Sequence, residues 1–281
     1  MNFLQKTAAL LLGKPARPHP LVEQIHFHSH ALRRVVLCDV YLPAGYNPGT
    51  AKKYPLFLFN DGQDLSRMDF ETLFHALIAE KRISPAVAVG IHANERRIRE
   101  YGTARQADYK GRGDLAGVYT QFVTTELLPD LRRRFRLSPQ KEKNILAGFS
   151  LGGLSAFDIV WAHPHLFGAA GVFSGSLWWR SADVRPEDPD ADRIMHDIVQ
   201  KTPLVDPEQR FWLQCGTLDE TDDRNNNGVI DAIDDTRDLL RELREKGIPE
   251  KNMRYLEMEG GRHEPATWAQ AMPDFLTWVM N

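Results

Sequence analysis

The fold is decided by the stretch Asn144-Ile145-Leu146-Ala147-Gly148-Phe149-Ser150-Leu151-Gly152-Gly153. A short apolar run at its start indicates a buried strand, and the residues after it follow a helical pattern. In this strand–turn–helix context, the G-x-S-x-G motif predicts a strained turn that projects a serine hydroxyl above a sheet. A glycine-rich link between strand and helix is the alternative, because the bare motif is common. We interpret Ser150 as a catalytic nucleophile.

Apolar runs and helical patterns alternate along the rest of the chain. Residues 22–28 and 33–42 alternate apolar and polar side chains and predict an antiparallel hairpin. Short apolar runs predict strands near residues 55–60, 86–91, 169–173, 211–215 and 253–258, and helical patterns predict helices near residues 67–80, 114–135, 190–200, 231–246 and 265–280. This order predicts an α/β fold with a mostly parallel twisted sheet, an antiparallel N-terminal hairpin and helices on both faces. We expect one domain at residues 21–281, preceded by an N-terminal arm at residues 1–20.

The composition is that of a globular protein and argues against several classes of partner. The chain has 281 residues, a formal net charge of −3, 42% hydrophobic and 26% charged residues. Its basic residues are dispersed, so we expect no nucleic-acid groove, and no apolar run has the length of a membrane span. Residues 1–20 lack a small-residue cleavage site, so we expect a cytoplasmic protein, with the periplasm as the alternative. The two cysteines, Cys38 and Cys215, lie in predicted strands and are typical of free core residues. The sequence leaves the oligomeric state open.

A serine hydroxyl needs a base to take its proton and an acid to orient that base. Reactive groups collect at the carboxyl ends of parallel strands, and the hydrolase fold orders them as serine, acid, histidine. His263 follows the last predicted strand through a pair of glycines, which predict a tight turn, and we interpret it as the base. His196 falls within a predicted helix. Asp219 comes first after the preceding strand and is our choice for the acid, with Glu220 and Asp222 as open alternatives.

Two backbone amides are predicted to form the oxyanion hole. One is the N–H of Leu151, directly after the candidate nucleophile. The other should come from the loop after the strand at residues 55–60. There, Gly62 allows close backbone approach, and the N–H of Gln63 is the predicted donor. An ordinary β-turn in this loop is the alternative.

Further short motifs are spread over nearly all of residues 20–280, at Val40-Tyr41-Leu42-Pro43, Asn60-Asp61-Gly62-Gln63, Gly111-Arg112-Gly113, Glu126-Leu127-Leu128-Pro129, Phe173-Ser174-Gly175 and Gly261-Arg262-His263. Together with the serine motif, they resemble the Putative esterase family (enterochelin esterase-like and esterase D-like) of α/β-hydrolases. This family also includes feruloyl esterases and mycolyltransferases. The resemblance implies an α/β-hydrolase fold, no required organic cofactor, and Ser150, Asp219 and His263 as nucleophile, acid and base. Because the family hosts acyltransferases as well as esterases, the reaction class stays open.

An acidic loop follows the predicted acid. Residues 223–234 match the pattern of a calcium-binding loop, with Gly228 at the sharp turn. The oxygen ligands of a structural Ca²⁺ would come from Asp223, Asn225, Asn227, the Val229 carbonyl, Asp231 and Asp234. The twelfth position is aspartate, where EF-hand loops favour glutamate. The alternative is an Asn/Gly turn that leads into a helix with acidic residues near its N-terminus.

We expect four side chains to contact the substrate. Trp178 and Trp179 follow the strand at residues 169–173 and would overhang the mouth of the site, with core packing as the alternative. Asp64 follows the oxyanion loop, and Arg112 lies in a polar stretch from residue 92 to about residue 114, which is too long for a simple connector. The sequence therefore predicts a serine esterase that hydrolyses a small-molecule carboxylic ester through an acyl-enzyme. An acyltransferase and a catalytically inactive binding domain are the alternatives.

Overall fold

The structure is a computed structural model that describes residues 21–281, so the arm predicted at residues 1–20 lies outside the described residues. At the start of the described chain, β1 (Val22–Ser29) and β2 (Arg34–Tyr41) pair antiparallel along their whole lengths. This confirms the predicted hairpin. β1 forms one edge of the sheet and alternates between exposed and less exposed residues, as expected for a strand with one face toward water.

The later strands run parallel to one another. They are β3 (Leu56–Asn60), β4 (Val87–Ile91), β5 (Asn144–Phe149), β6 (Ala169–Phe173), β7 (Arg210–Leu218) and β8 (Met253–Arg262). One eight-stranded sheet results, in the order β1-β2-β4-β3-β5-β6-β7-β8, with β2 antiparallel to β4. Strands β3 to β6 are buried along their whole lengths, which explains why their sequences are continuous apolar runs. The predicted mixed α/β sheet is thus confirmed.

The helices follow the predicted order, with one interruption. They are α1 (Phe70–Ala79), α2 (Arg97–Glu100), α3 (Ala116–Gln121), α4 (Leu128–Arg134), α5 (Leu151–Ala162), α6 (Ile194–Lys201), α7 (Asp231–Lys246) and α8 (Pro265–Met280). The helix predicted at residues 114–135 is divided by a π-helical segment, Phe122–Leu127. Pro129 begins the next helical turn and has no N–H to donate, which accounts for a change of hydrogen-bond register there. No helix in residues 21–281 has the length and apolar character needed to cross a bilayer.

Each face of the sheet carries its own hydrophobic core. Along β3, Leu56 and Leu58 belong to one core, whereas Phe57 and Phe59 belong to the other. Helix α5 packs on the first face, and helices α1 and α8 pack on the second. Because β5 is a central strand of the sheet, the turn that follows it emerges in the middle of the row of strand ends. The two cysteines are buried and free, as predicted.

Candidate active site

Ser150 occupies the turn between β5 and α5. Its backbone has φ 56° and ψ −124°, a strained conformation for a residue with a side chain. The Ser150 N–H donates to the Phe173 carbonyl at 2.8 Å, which ties the turn to the end of β6. Gly148 is required here, because a Cβ on it would overlap the backbone of Gly152. The predicted nucleophile therefore lies at the carboxyl end of a central strand, in the geometry expected of a nucleophile elbow.

The loop after β3 is fixed against the start of α5. Asn60 Nδ2 donates to the Gly152 carbonyl at 2.8 Å. A Cβ on Gly152 would lie 2.5 Å from Asp61 Oδ2 and 3.1 Å from Asn60 Cβ, so only glycine allows this approach. On its other side, Gly62 packs directly on the backbone of Gly90 in β4. The loop is thus held from two directions next to the serine turn.

This arrangement leaves the two predicted oxyanion donors unpaired. Leu151 is the first residue of α5, so its N–H has no helical carbonyl partner. Within residues 21–281, neither this N–H nor the backbone N–H of Gln63 donates a hydrogen bond. The Gln63 side chain is itself held, since it accepts from the Ala93 N–H at 3.0 Å and donates to Asp61 Oδ1 at 3.3 Å. Unpaired, preoriented amides are what an oxyanion hole requires, and their role stays a prediction.

A buried ion pair that the sequence analysis missed supports the same loop. Asp61 has φ 57°, is 1% exposed, and accepts two 2.7 Å hydrogen bonds from the Arg97 guanidinium. The Asp61 N–H donates to the Tyr101 hydroxyl at 3.1 Å, and the Tyr119 hydroxyl donates to Asn60 Oδ1 at 2.7 Å. Arg97 and Tyr101 lie in the long polar stretch, whose length was its only signal of function. Partners 36 residues apart leave no local pattern that could have identified the pair.

The ends of β7 and β8 approach each other closely. Both strands continue beyond the predicted apolar runs, to Leu218 and Arg262. The tight turn predicted at Gly260 and Gly261 is therefore wrong: β8 passes through both glycines, with an irregular register opposite Gly216. A Cβ on Gly216 would overlap the Gly261 carbonyl. Because both residues are glycines, β7 and β8 can continue to pair as far as Leu218 and Arg262. The predicted acid and base consequently follow two adjacent strand ends.

Asp219 and His263 interact electrostatically. Asp219 Oδ2 accepts the Gly216 N–H at 3.0 Å, whereas Oδ1 is buried without a hydrogen-bond partner among the described residues. Burial raises the pKa of Asp219, and the Gly216 N–H, the Ser174 hydroxyl and His263 oppose this rise. Burial lowers the pKa of His263, an effect that Asp219 opposes and Arg97 reinforces. The imidazole is thus held neutral near pH 7, which is the state a general base needs.

The hydrogen bonds of a catalytic triad are not formed in this conformation. Within residues 21–281, neither ring nitrogen of His263 makes a hydrogen bond, and its ring lies edge-on to Trp268 with centroids 5.5 Å apart. Ser150 Oγ lies 3.5 Å from Ser176 Oγ. Catalytic hydrogen bonds are commonly long or misaligned without substrate and tighten when it binds. The three catalytic assignments therefore stay predictions.

The two alternative acids are placed differently from Asp219. The Glu220 carboxylate accepts the Ala232 N–H at 2.5 Å, at the start of α7. Burial, together with Asp231, Asp222 and other nearby carboxylates, raises the pKa of Glu220 to about 7. Asp222 is exposed. Of the three carboxylates, Asp219 alone contributes to the shift in the pKa of His263, which favours it as the acid.

The four predicted substrate contacts fall in different environments. Trp178 and Arg112 line a cavity, and the Arg112 guanidinium lies 5.0 Å from the Trp178 ring and 5.1 Å from the Trp179 ring. Trp179 is 0% exposed, so the prediction that it contacts substrate is wrong. It packs in the core beneath Arg112. Asp64 pairs with Arg67 at 3.2 Å outside this cavity, and its contact with substrate stays a prediction.

The acidic loop at residues 223–234 is closed by its own hydrogen bonds. The Asp223 carboxylate accepts two backbone N–H groups of the loop, at 3.1 and 2.9 Å, and Asp234 accepts from Asn227 Nδ2 at 2.6 Å. Asp231 pairs with the Arg224 guanidinium at 3.1 Å. Within the described part of the chain, no group of three or more His, Cys, Asp or Glu side chains is placed to hold a metal ion. Calcium binding would need these side chains to rearrange, and it stays a prediction.

A family model described as Putative esterase matches residues 29–279. The chain belongs to this family. Relatives named as esterases match as well, so the reaction class that the family supports is the hydrolysis of carboxylic esters. The resemblance inferred from the short motifs is thus confirmed over nearly the whole chain.

One of the curated relatives is similar in length to this chain, and two are much longer. It is 22% identical over 256 residues to the uncharacterized protein YbbA of Bacillus subtilis (strain 168), covering 90% of this chain and 94% of that protein. It is 22% identical over 264 residues to an endo-1,4-beta-xylanase/feruloyl esterase of Xylanibacter ruminicola, and 31% identical over 131 residues to the iron(III) enterobactin esterase of Escherichia coli (strain K12). These two matches cover 90% and 46% of this chain, and each spans 30% of the relative.

Solved structures share the fold. The enterobactin esterase FES from Shigella flexneri, solved in the presence of enterobactin, superposes with a TM-score of 0.71 at 20% identity. The match covers 94% of this chain and 60% of that one. A ferulic acid esterase superposes with a TM-score of 0.68 at 20% identity, covering 92% of this chain and 96% of that one. These similarities confirm the α/β-hydrolase architecture.

Proposed function

We propose that this protein is a serine esterase that hydrolyses a small-molecule carboxylic ester through an acyl-enzyme. The observation that carries the proposal is the strained turn at Ser150, at the centre of the sheet edge where two further strands deliver Asp219 and His263. A non-Gly residue with such φ and ψ persists only when the surrounding structure imposes it. The close approach of Gly148 to the backbone of Gly152, which only glycine allows, accommodates this turn, and the hydrogen bond from the Ser150 N–H to the Phe173 carbonyl holds it.

In the first half of the reaction, the neutral imidazole of His263 accepts the Ser150 hydroxyl proton as Oγ attacks the ester carbonyl. The negative charge that develops on the carbonyl oxygen is stabilised by the N–H groups of Leu151 and Gln63. Asp219 Oδ1 accepts from the imidazolium and balances its positive charge. The imidazolium then protonates the leaving alcohol, and the acyl group remains on Ser150.

In the second half, water takes the place of the alcohol. The water oxygen attacks the acyl carbonyl while His263 accepts a proton from that water. The N–H groups of Leu151 and Gln63 stabilise the second oxyanion. Collapse of this intermediate returns the proton to Ser150 Oγ and releases the carboxylic acid. Every proton transfer runs through one imidazole, so the burial that keeps His263 neutral supports both halves of the reaction.

The test compares wild type with Ser150→Ala on a panel of 4-nitrophenyl esters and a feruloyl methyl ester. We expect loss of at least about 10⁴-fold in kcat, together with loss of labelling by a serine-directed fluorophosphonate. Ser138→Ala is the matched control, because Ser138 is a buried serine ahead of the amino end of β5, away from the carboxyl edge. Full activity in Ser150→Ala would refute the proposal. Turnover that requires an added alcohol or amine would assign acyl transfer instead.

A further inference from the structure

A cavity of about 390 Å³ is lined by residues that adjoin the predicted catalytic residues in the sequence. It is lined from three segments of the chain, residues 109–112, 178–184 and 220–231. Ser176, whose Oγ is 3.5 Å from Ser150 Oγ, leads into the second segment, and Asp219 directly precedes the third. The volume is within the range of small-molecule sites. The cavity is therefore positioned for the part of an ester that does not react.

Arg180 contributes a buried and incompletely paired cation to this cavity. The residue is 5% exposed, its Nη1 donates to the Ala191 carbonyl, and its Nη2 has no hydrogen-bond partner among the described residues. None of the ion pairs recorded within residues 21–281 includes Arg180. Burying a charge is costly unless an opposite charge compensates it. The guanidinium therefore carries a charge without an ion-pair partner and a buried donor that the described residues leave unused.

The two carboxylates that interact electrostatically with Arg180 also pair with other arginines. Asp235 Oδ1 receives hydrogen bonds from Arg193 at 2.7 Å and from Arg224 at 2.6 Å, and Asp190 pairs with Arg224 at 2.6 Å. Burial lowers the pKa of Arg180, Arg224 and Arg193 lower it further, and the two aspartates oppose this. Asp235 Oδ2 makes no hydrogen bond among the described residues, and neither aspartate forms an ion pair with Arg180, so the charge of Arg180 is only partly balanced.

Among the described residues, none of the acids that line the cavity forms an ion pair with Arg180. Asp183 accepts the Tyr109 hydroxyl at 3.1 Å, and Asp231 is paired as described above. Glu220 accepts a backbone N–H, and the rise of its pKa to about 7 leaves it largely protonated below neutral pH. Asp222 is exposed to solvent, where its charge is screened. A ligand anion thus has a distinct place beside Arg180.

Another part of the cavity lining is aromatic. The Trp178 ring is partly exposed, and the Arg112 guanidinium lies 5.0 Å from its centroid. Asp108, whose carboxylate accepts Arg112 Nε at 2.5 Å, fixes this guanidinium in place. A planar group of a ligand can pack on the indole, while a carboxylate attached to it reaches a guanidinium.

We propose that this cavity binds a carboxylate on the non-reacting end of the ester, with Arg180 as its ion-pair partner and Trp178 against an adjoining planar group. This substrate class rests on the proposed esterase function. Remote contacts of this kind raise kcat/KM by orienting the reacting carbonyl at the nucleophile. Neutral esters of the same shape lack the contact and react more slowly.

The test uses the mono-4-nitrophenyl esters of terephthalic and isophthalic acids and the same esters with the second carboxyl capped as its methyl ester. Release of nitrophenolate is followed, and each kcat/KM is divided by the uncatalysed rate of that ester. We expect wild type to prefer the free carboxylate of at least one isomer by about tenfold or more, the size of one charge-assisted contact. In Arg180→Gln this ratio should fall to near one. Comparing ratios cancels any general loss of activity.

Arg254→Gln is the control for the loss of an arginine, because Arg254 lies outside this cavity, with its guanidinium 5.6 Å from the Trp212 ring. It should keep the wild-type ratio. A wild-type ratio near one, with hydrolysis that depends on Ser150, overturns the carboxylate site and leaves the esterase intact. An unchanged ratio in Arg180→Gln overturns the role of Arg180. If wild type shows no hydrolysis that depends on Ser150, the proposed function itself is overturned.

A second measurement needs no variant, in case Arg180→Gln does not fold. Benzoate and benzamide have nearly the same shape and differ in charge. We expect benzoate to inhibit the hydrolysis of 4-nitrophenyl acetate by wild type competitively, and benzamide to inhibit at least about tenfold more weakly. Equal inhibition by the two compounds overturns the proposal.

Discussion

Replacing Arg97 by methionine tests how the predicted oxyanion loop is supported. In Arg97→Met, the Asp61 carboxylate loses two hydrogen bonds of 2.7 Å and keeps a single 3.3 Å contact from Gln63. Removing one partner of a fully buried ion pair costs about 3–5 kcal/mol, because the remaining charge is left without compensation. Asp61 is 1% exposed, but the Arg97 side chain is 32% exposed and water reaches part of it. We therefore expect a loss of about 2–3 kcal/mol in the free energy of unfolding, below the fully buried range.

The same substitution has a second, independent readout. Arg97 helps to lower the pKa of His263, so its removal should raise that pKa. The base must be neutral to accept a proton, and the acid limb of the pH profile of kcat/KM should consequently move to higher pH. Urea denaturation measures the first effect, and a pH–rate profile with a 4-nitrophenyl ester measures the second.

Arg99→Met is the control for both readouts. Arg99 lies two residues away on the same helix and pairs with Asp114 at 2.5 Å, but both side chains are solvent-exposed. Exposed pairs contribute little to stability, so this variant should lose only a small fraction of what Arg97→Met loses and should keep the wild-type acid limb. Equal losses of stability in the two variants would refute the argument from burial. An unmoved acid limb in Arg97→Met would refute the electrostatic argument.

Three further predictions concern the loops after β7. Asp219→Asn should lower kcat by about 10⁴-fold, and the loss of its charge should move the acid limb of the pH–rate profile to lower pH. Glu220→Gln should lower kcat by less than about tenfold. Equal losses of kcat in the two variants would reassign the acid. The pKa of Glu220 is raised to about 7 in the folded state. Between about pH 4.5 and 7, the folded state therefore keeps a proton that the unfolded state releases. The stability due to this group is lost as pH rises through that window. Glu220→Gln should therefore be more stable than wild type at about pH 8 but not at about pH 5. Urea denaturation at both pH values measures this, and the reverse order would contradict the prediction. Finally, about 10 mM CaCl₂ should raise the melting temperature by a few degrees if the acidic loop binds calcium with a Kd near 1 mM, and a shift of the same size with MgCl₂ would remove the calcium prediction.

Local patterns were enough to predict the serine turn and most of the elements. The apolar run of β5 and the spacing of Gly148 and Gly152 are signals within a few residues, and the structure places the strained turn where they indicate. The order of strands and helices followed for the same reason, since hydrophobic periodicity is also local. The position of His263 after the last strand could be predicted because the order of catalytic groups in the hydrolase fold is a property of the sequence.

Features set by distant contacts could not be predicted in this way. Trp178 and Trp179 are adjacent and chemically identical, yet one lines the cavity and the other is fully buried. The path of the loop decides this, and a Cβ on Gly102 or on Gly113 would meet the Trp179 ring at about 3 Å. The same holds for the glycine pair at residues 260–261, which predicts a turn from the sequence alone, whereas in the structure the strand continues through both and Gly261 packs against Gly216. In each case the deciding partner is remote in the sequence.

The predicted catalytic residues and the proposed substrate cavity are shaped by different kinds of contact. Close backbone approaches at glycine shape the first: Gly148 on Gly152 shapes the serine turn, and Gly216 on Gly261 brings together the ends of β7 and β8, which precede the predicted acid and base. Side chains shape the cavity, with Arg180 and Trp178 on its walls. None of these four glycines lines the cavity. We therefore expect substitutions of cavity side chains to change which ester is preferred, whereas a Cβ added at any of these glycines should lower the hydrolysis of every ester alike.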